Sequence, residues 1–175
     1  MDRAILRQAQ AYYAGTPWRD RLHVTGRLLL CPFEQLAEFI PPAGLIVDLG
    51  CGHGLFSNAL ALESSARFVV GVEPAGHKVA VARAARPPRG HVEFVRGSAL
   101  NVPLAGPWRA ALLIDVLYLF GPCQQEQILR TCAERLWRGG VLVLKEMDER
   151  PRWKAALNRL EEWLAVHVLH ITLGE

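Results

Sequence analysis

Leu45-Ile46-Val47-Asp48-Leu49-Gly50-Cys51-Gly52-His53-Gly54 is an apolar run that ends in three glycines at alternate positions. The run reads as a buried strand, and the segment that follows, Leu55 to Leu62, reads as a helix. Glycine lacks Cβ, so a loop built this way turns sharply and lets its backbone approach a ligand closely. Its N–H groups then meet the start of a helix, where partial positive charge gathers. Strand, glycine loop and helix together describe a nucleotide-binding pocket.

Outward from this unit, strands and helices alternate. Phe68-Val69-Val70-Gly71-Val72 predicts a second strand, Val92-Glu93-Phe94-Val95 a third, Ala110 to Ile114 a fourth and Val141 to Leu144 a fifth. Helices are expected at His77 to Ala85, before Pro87-Pro88, and at Gln124 to Trp137, before Gly139-Gly140. A last helix is expected from Arg152 to about Leu169. Upstream, residues 1–44 read as a helical segment interrupted by the aromatic turn Tyr13-Ala14-Gly15-Thr16-Pro17-Trp18. A second helix there, Val24 to Phe39, carries a kink at Pro32, and Pro41-Pro42 breaks the chain before the first strand. Continuous apolar strands separated by helices predict an α/β fold: a doubly wound, Rossmann-like, mainly parallel sheet of about five strands with helices on both faces. Residues 45–175 form the nucleotide-binding domain, and its ligand belongs at the carboxyl ends of the strands.

Which nucleotide fits is decided by two residues and a spacing. Glu73 closes the second strand about 20 residues beyond the glycine loop, where an acid accepts both ribose hydroxyl protons. The glycines run G-x-G-x-G rather than the G-x-G-x-x-G of dinucleotide enzymes, which speaks against a short NAD-dependent oxidoreductase. Asp48 stands just ahead of the loop, where a carboxylate repels pyrophosphate and suits a ligand with an ammonium group.

At this point the chain resembles the class I S-adenosylmethionine-dependent methyltransferases, from about Leu45 to Met147. Val47 to Gly54 is similar to the first motif of that family, and Val72-Glu73-Pro74 to its ribose-binding second. Phe94-Val95-Arg96-Gly97-Ser98-Ala99 and Leu113-Ile114-Asp115-Val116-Leu117-Tyr118 resemble the strand-three and strand-four segments, and Leu136-Trp137-Arg138-Gly139-Gly140-Val141 the glycine-glycine signature after them. The resemblance implies strand order 3-2-1-4-5 and S-adenosylmethionine as cofactor, with S-adenosylhomocysteine as product. It implies that Gly50, Cys51 and Gly52 pass under the methionine arm by backbone contact, with Gly54 completing the loop. Asp48 is then near the cofactor's amino group, Glu73 on the ribose, Pro74 and Ala99 against the adenine, and Asp115 near the methionine arm. Ser98 stands where many relatives carry an aspartate, so a neutral hydroxyl replaces the usual acceptor for the adenine amino group.

The expected activity is in-line methyl transfer to a small-molecule or lipid-like acceptor. The alternative is a catalytically silent cofactor-binding subunit that needs a partner chain. His23, His53 and Glu146 are the candidate general bases, with no catalytic residue assigned. Tyr12, Tyr13 and Trp18 are candidates for a lid over the pocket. Nothing resembling an Asn-Pro-Pro-Tyr motif follows strand four, which argues against the adenine and glutamine N-methylating branch.

Composition bounds the rest. The chain has 175 residues, 51% of them hydrophobic and 21% charged, with a net charge of +3. That charge is scattered, without a basic-aromatic stripe, so nucleic acid is not the expected partner. The four cysteines show no zinc spacing and read as free thiols in a cytoplasmic protein. His167 and His170 have no third ligand in sequence, so no metal is expected. Family members add two further strands beyond this point, whereas this sequence ends at Glu175. Strand five is then an open apolar edge, which leaves three readings: a shortened sequence, edge-to-edge pairing in a homo-oligomer, or a partner chain that supplies the strands; a homo-oligomer or a partner chain is the expectation. The last expected helix has an apolar stripe (Trp153, Leu157, Leu160, Trp163, Leu164, Val168) that suits core packing, an interface or peripheral membrane contact.

Overall fold

Successive residues of a strand point to opposite faces of a sheet, and here both faces are apolar. Ile46, Val69, Ala110 and Leu112 enter one core, while Val47, Val70, Ala111 and Leu113 enter another. A sheet buried on both sides is a parallel sheet with helices above and below it. The computed structural model describes residues 1–146 and shows that arrangement. Five strands, β1 (Gly44–Leu49), β2 (Arg67–Glu73), β3 (His91–Arg96), β4 (Trp108–Ile114) and β5 (Leu136–Lys145), pair in the order β3-β2-β1-β4-β5. Every pairing is parallel, with Leu49 opposite both Val72 and Leu113. The expected fold class and strand order are therefore those observed. Strand order reverses at β1, so a crevice opens beyond the carboxyl ends of β1 and β4.

One face is covered by α1 (Arg3–Ala11), α4 (Leu55–Glu63) and α5 (Gly76–Ala84), with α2 (Trp18–Leu30) and α3 (Phe33–Ala37) beside them. The other is covered by α6 (Pro122–Arg135), through Ile128 and Cys132, and by Ala99 and Val102 of the β3–β4 connection. Helix boundaries differ from expectation in two places, both for local reasons. The helix expected over Val24 to Phe39 begins at Trp18 and ends at Leu30. Cys31, ahead of Pro32, is held extended (φ −90°, ψ 130°), as a pre-proline residue prefers, and splits the segment in two. The helix expected over Gln124 to Trp137 begins at Pro122, whose ring presets φ for a first helical turn, and ends at Arg135. Leu136 then pairs directly with Trp108, and Gly139 (φ 77°) lies in the irregular stretch before Val141 meets Ala110.

Among the described residues β5 pairs on one side only, with β4, and Leu144 is 47% exposed. The expected helix from Arg152 to Leu169, its apolar stripe, and His167 with His170 lie outside the described residues.

Gly71, in the middle of β2, leaves room for the layer beneath the glycine loop. A Cβ there would fall 2.6 Å from the Phe94 ring and 2.7 Å from Cys51 Sγ. Gly71→Ala is therefore expected to destabilise the fold by about 1–3 kcal/mol, the usual cost of overpacking. Urea unfolding of the two proteins measures it, and an unchanged midpoint would show that the loop is not packed against this strand.

Candidate functional site

The crevice at the strand ends is a cavity of about 270 Å³, near the lower end of small-molecule pockets. All the residues expected to touch the cofactor line it except Gly54, which is the N-cap of α4. The glycine loop forms its floor. Gly50 and Cys51 both donate N–H bonds to the Val72 carbonyl, at 2.7 and 3.1 Å, which ties the loop to the end of β2. Gly50 (φ 76°) has Val116 2.5 Å from where a Cβ would sit, so only glycine fits. Gly52 (φ 57°) has nothing within 4 Å of that position. It is backbone laid bare toward open space, the feature a close-lying ligand requires.

Three carboxylates surround this floor. Glu73, 5% exposed, accepts from Gly52 N through Oε2 and from Ala75 N through Oε1, each at 3.0 Å. These bonds fix its orientation and leave each oxygen able to accept again. Asp48, 4% exposed, accepts a hydrogen bond from Ser57 Oγ. Burial pushes its carboxyl up to about 6, against the opposing pull of that hydrogen bond and of Arg27. Asp115 sits at the end of β4 with φ 59°, a left-handed conformation costly for most residues and tolerated by aspartate. Two cations hold it: Arg27 Nη1 from α2 at 2.6 Å, and Lys145 Nζ from β5. Asp115 N also donates to the Lys145 carbonyl at 2.7 Å, so the last turn of the cavity wall is fixed from three directions.

The remaining expected residues differ in role. Ser98 lines the cavity, and its Oγ accepts from Leu100 N at 3.2 Å in a local turn. Pro74 and Ala99 line the same side. Burial raises the Cys51 thiol well above its ordinary value, so it is not a thiolate. Of the candidate bases, His23 and His53 line the cavity. His53 is buried rather than a free loop residue, and burial pushes it down to about 4. His23 is half-buried rather than at the surface, and burial pushes it down to about 3. Glu146 is not in the lining. Its two oxygens accept from Leu117 N (2.9 Å) and Tyr118 N (3.4 Å), so it braces the short 3-10 helix Leu117–Leu119 after β4.

Tyr13 does not cover the cavity. It is 1% exposed, and its hydroxyl donates to the His53 carbonyl at 2.6 Å and accepts from Asn58 Nδ2 at 3.1 Å, supporting the loop from behind. Trp18 is 63% exposed. The N-terminal segment reaches the cavity through α2 instead, by His23, Val24 and Arg27. Sequence reasoning missed Arg27, Asp20, His77, Lys78 and Lys145. A signal for part of this set was present. Asp20, His23, Val24 and Arg27 fall at i, i+3, i+4 and i+7, so a polar stripe at helical spacing turns inward. Asp20 is 3% exposed and accepts from the ring nitrogens of His53 and His77. Burial raises it, but these bonds and charges outweigh burial and hold it below the ordinary aspartate value.

Comparison with known proteins places this geometry in context. A family model described as a methyltransferase domain matches residues 46–140. A search of the curated proteins returned no match. Among solved structures, the PH0226 protein from Pyrococcus horikoshii OT3 is 25% identical at a TM-score of 0.62, over 86% of this chain and 63% of that one. An amino pentose methyltransferase from Micromonospora echinaspora, solved with S-adenosylmethionine bound, is 23% identical at a TM-score of 0.56, over 81% of this chain and 56% of that one. A magnesium protoporphyrin IX methyltransferase from Synechocystis PCC 6803, with bound S-adenosylhomocysteine, is 20% identical at a TM-score of 0.51, over 59% and 48%. The chain thus spans roughly half to two thirds of the length of these proteins.

Asp48 has a consequence for stability. Its carboxyl titrates near 6 in the fold and near 3.8 in the unfolded chain, so between those values the folded state binds more proton. Stability must then fall as pH rises from about 4 to about 6, by up to about 3 kcal/mol from this one group. Urea unfolding across that range should show the slope in the native protein and its loss in Asp48→Asn. An equal slope in both would assign it to other groups.

Proposed function

Because the chain belongs to the methyltransferase-domain family, we propose that it binds S-adenosylmethionine in this cavity and transfers its methyl group to a small-molecule or lipid-like acceptor. The observation that carries the reading is the convergence of Asp48, the bare Gly52 backbone and the braced Glu73 carboxylate on one crevice at the reversal of strand order. These residues suit the group chemically. Glu73 keeps acceptor capacity for two ribose hydroxyls. Asp48 offers a buried carboxylate to an ammonium. The open space at Gly52 leaves the backbone free for close approach. Pro74 and Ala99 offer apolar contact to a base, and Ser98 offers a hydroxyl to its amino group. When bound, the cofactor supplies an electrophilic methyl on a sulfonium.

The chain's own part is positioning. An acceptor atom must be held in line with the breaking bond, within about 3–3.5 Å, away from water. Phe33, Phe56, Leu119 and Phe120 give the cavity an apolar wall suited to an apolar acceptor. Phe33 and Phe56 are buried there, and Asp115 is held by Arg27 beside them. His23 and His53 are neutral at neutral pH because burial depresses both. At those values both are weak bases, His53 Nε2 is engaged by Asp20, and an acceptor amine that is already neutral needs neither.

Two outcomes are expected. Calorimetry should show binding of S-adenosylmethionine and S-adenosylhomocysteine, weakened about 10–100-fold in Glu73→Gln, as loss of a charged acceptor for two hydroxyls requires. S-adenosylmethionine affinity should rise as pH rises through about 6, because only ionised Asp48 attracts the ammonium, and Asp48→Asn should flatten that profile. Binding of neither compound would overturn the reading. Binding without turnover against a panel of amine, hydroxyl and lipid acceptors would favour a silent cofactor-binding subunit instead.

A further inference from the structure

Three chemistry-bearing side chains that the methyl-transfer reading does not use meet at the rim of the cavity. Asp20 comes from α2, His53 from the glycine loop and His77 from the first turn of α5. Asp20 Oδ1 lies 3.0 Å from His53 Nε2 and 2.8 Å from His77 Nε2, and the three ligand atoms are within 4.8 Å of one another. Hydrogen bonding alone puts two imidazoles on a single oxygen of a carboxylate that is 3% exposed. That is an expensive arrangement for a merely structural contact.

From this geometry we propose that Asp20, His53 and His77 form a binding site for a divalent transition-metal ion of the zinc class. Two imidazoles and one carboxylate are the donor set of zinc and its d-block neighbours, whereas magnesium and calcium prefer all-oxygen sites. A tetrahedral ion with bonds of about 2.0–2.2 Å holds its ligand atoms about 3.3 Å apart. The two contacts to Asp20 need to open by only a few tenths of an ångström to admit one, and the two imidazole nitrogens already lie within 4.8 Å of each other. His53 and Asp20 are buried, while the His77 side chain is 64% exposed. The site therefore has solvent access, and a water completes the fourth position. Lys78 lies close enough to act on His53 electrostatically, so the cation binds against one positive neighbour and depends on the Asp20 charge. A bound ion joins α2, the glycine loop and α5, three walls of the cavity rim that otherwise meet only through side-chain hydrogen bonds and packing.

The full chain, stripped with a chelator and desalted, is titrated with Zn²⁺ against a chromophoric competitor and with Co²⁺ by visible absorption. One equivalent of each is expected to bind, with Zn²⁺ raising the melting temperature. His77→Ala, at an exposed position, should weaken both metals at least tenfold and abolish the thermal shift, while its far-UV circular dichroism without metal matches the native protein. Asp20→Asn should weaken binding in the same way, and Lys78→Gln should strengthen it. The double variant His167→Ala/His170→Ala should bind as the native chain does. The proposal fails if the native protein binds no stoichiometric metal. It fails equally if His77→Ala binds as tightly, or if binding is lost in the His167→Ala/His170→Ala protein.

Discussion

The site depends on one junction, where the glycine loop is tied to the end of β2. Two consecutive loop amides share the Val72 carbonyl, and the next residue, Gly52, gives its N–H to the Glu73 carboxylate. The arrangement demands left-handed backbone at Gly50 and Gly52, so it is available only to residues without Cβ. It also demands that β2 approach the loop closely, which Gly71 allows. Loop, acid and strand therefore form one object, and the cavity takes its floor from it.

Around that floor the protein spends charge where apolar residues would pack more simply. Asp48, Glu73, Asp115 and Asp20 are all largely buried, and each is held by a distinct partner: Ser57, two backbone amides, two cations, and two imidazoles. Buried charges without partners are strongly destabilising, and paired ones contribute little net stability. Their concentration at a single crevice marks a site shaped for ligands rather than for folding. Asp115 adds backbone strain to this pattern, held in place by Arg27 and Lys145 from two other elements.

The N-terminal helices occupy two different roles. α1 and Tyr13 belong to the core behind the glycine loop, where the Tyr13 hydroxyl satisfies the His53 carbonyl. α2 reaches over the front and contributes Arg27 and His23 to the wall. An aromatic cluster near an N-terminus reads equally well as lid or as packing until its hydroxyl is seen to be bonded. The polar stripe on α2 was the better indicator, because helical spacing places Asp20, His23 and Arg27 on one side whatever that side faces.

The strands, the glycine loop, Glu73 and Asp48 were legible in the chain itself, and the strand order came with the family resemblance. They depend on local rules: β-branched runs for strands, missing Cβ atoms for tight backbone, and a fixed offset between loop and acid. The ends of α2 and α6 were less legible, because proline acts on its neighbour's backbone and moves a boundary by several residues. What the tertiary structure alone decided is which distant charges meet. Arg27 with Asp115 and Lys145, and Asp20 with His53 and His77, are separated by tens of residues, and no spacing encodes their contact. Such pairs exist because the sheet brings the ends of separate strands and helices to one edge, and only the packed chain has that edge.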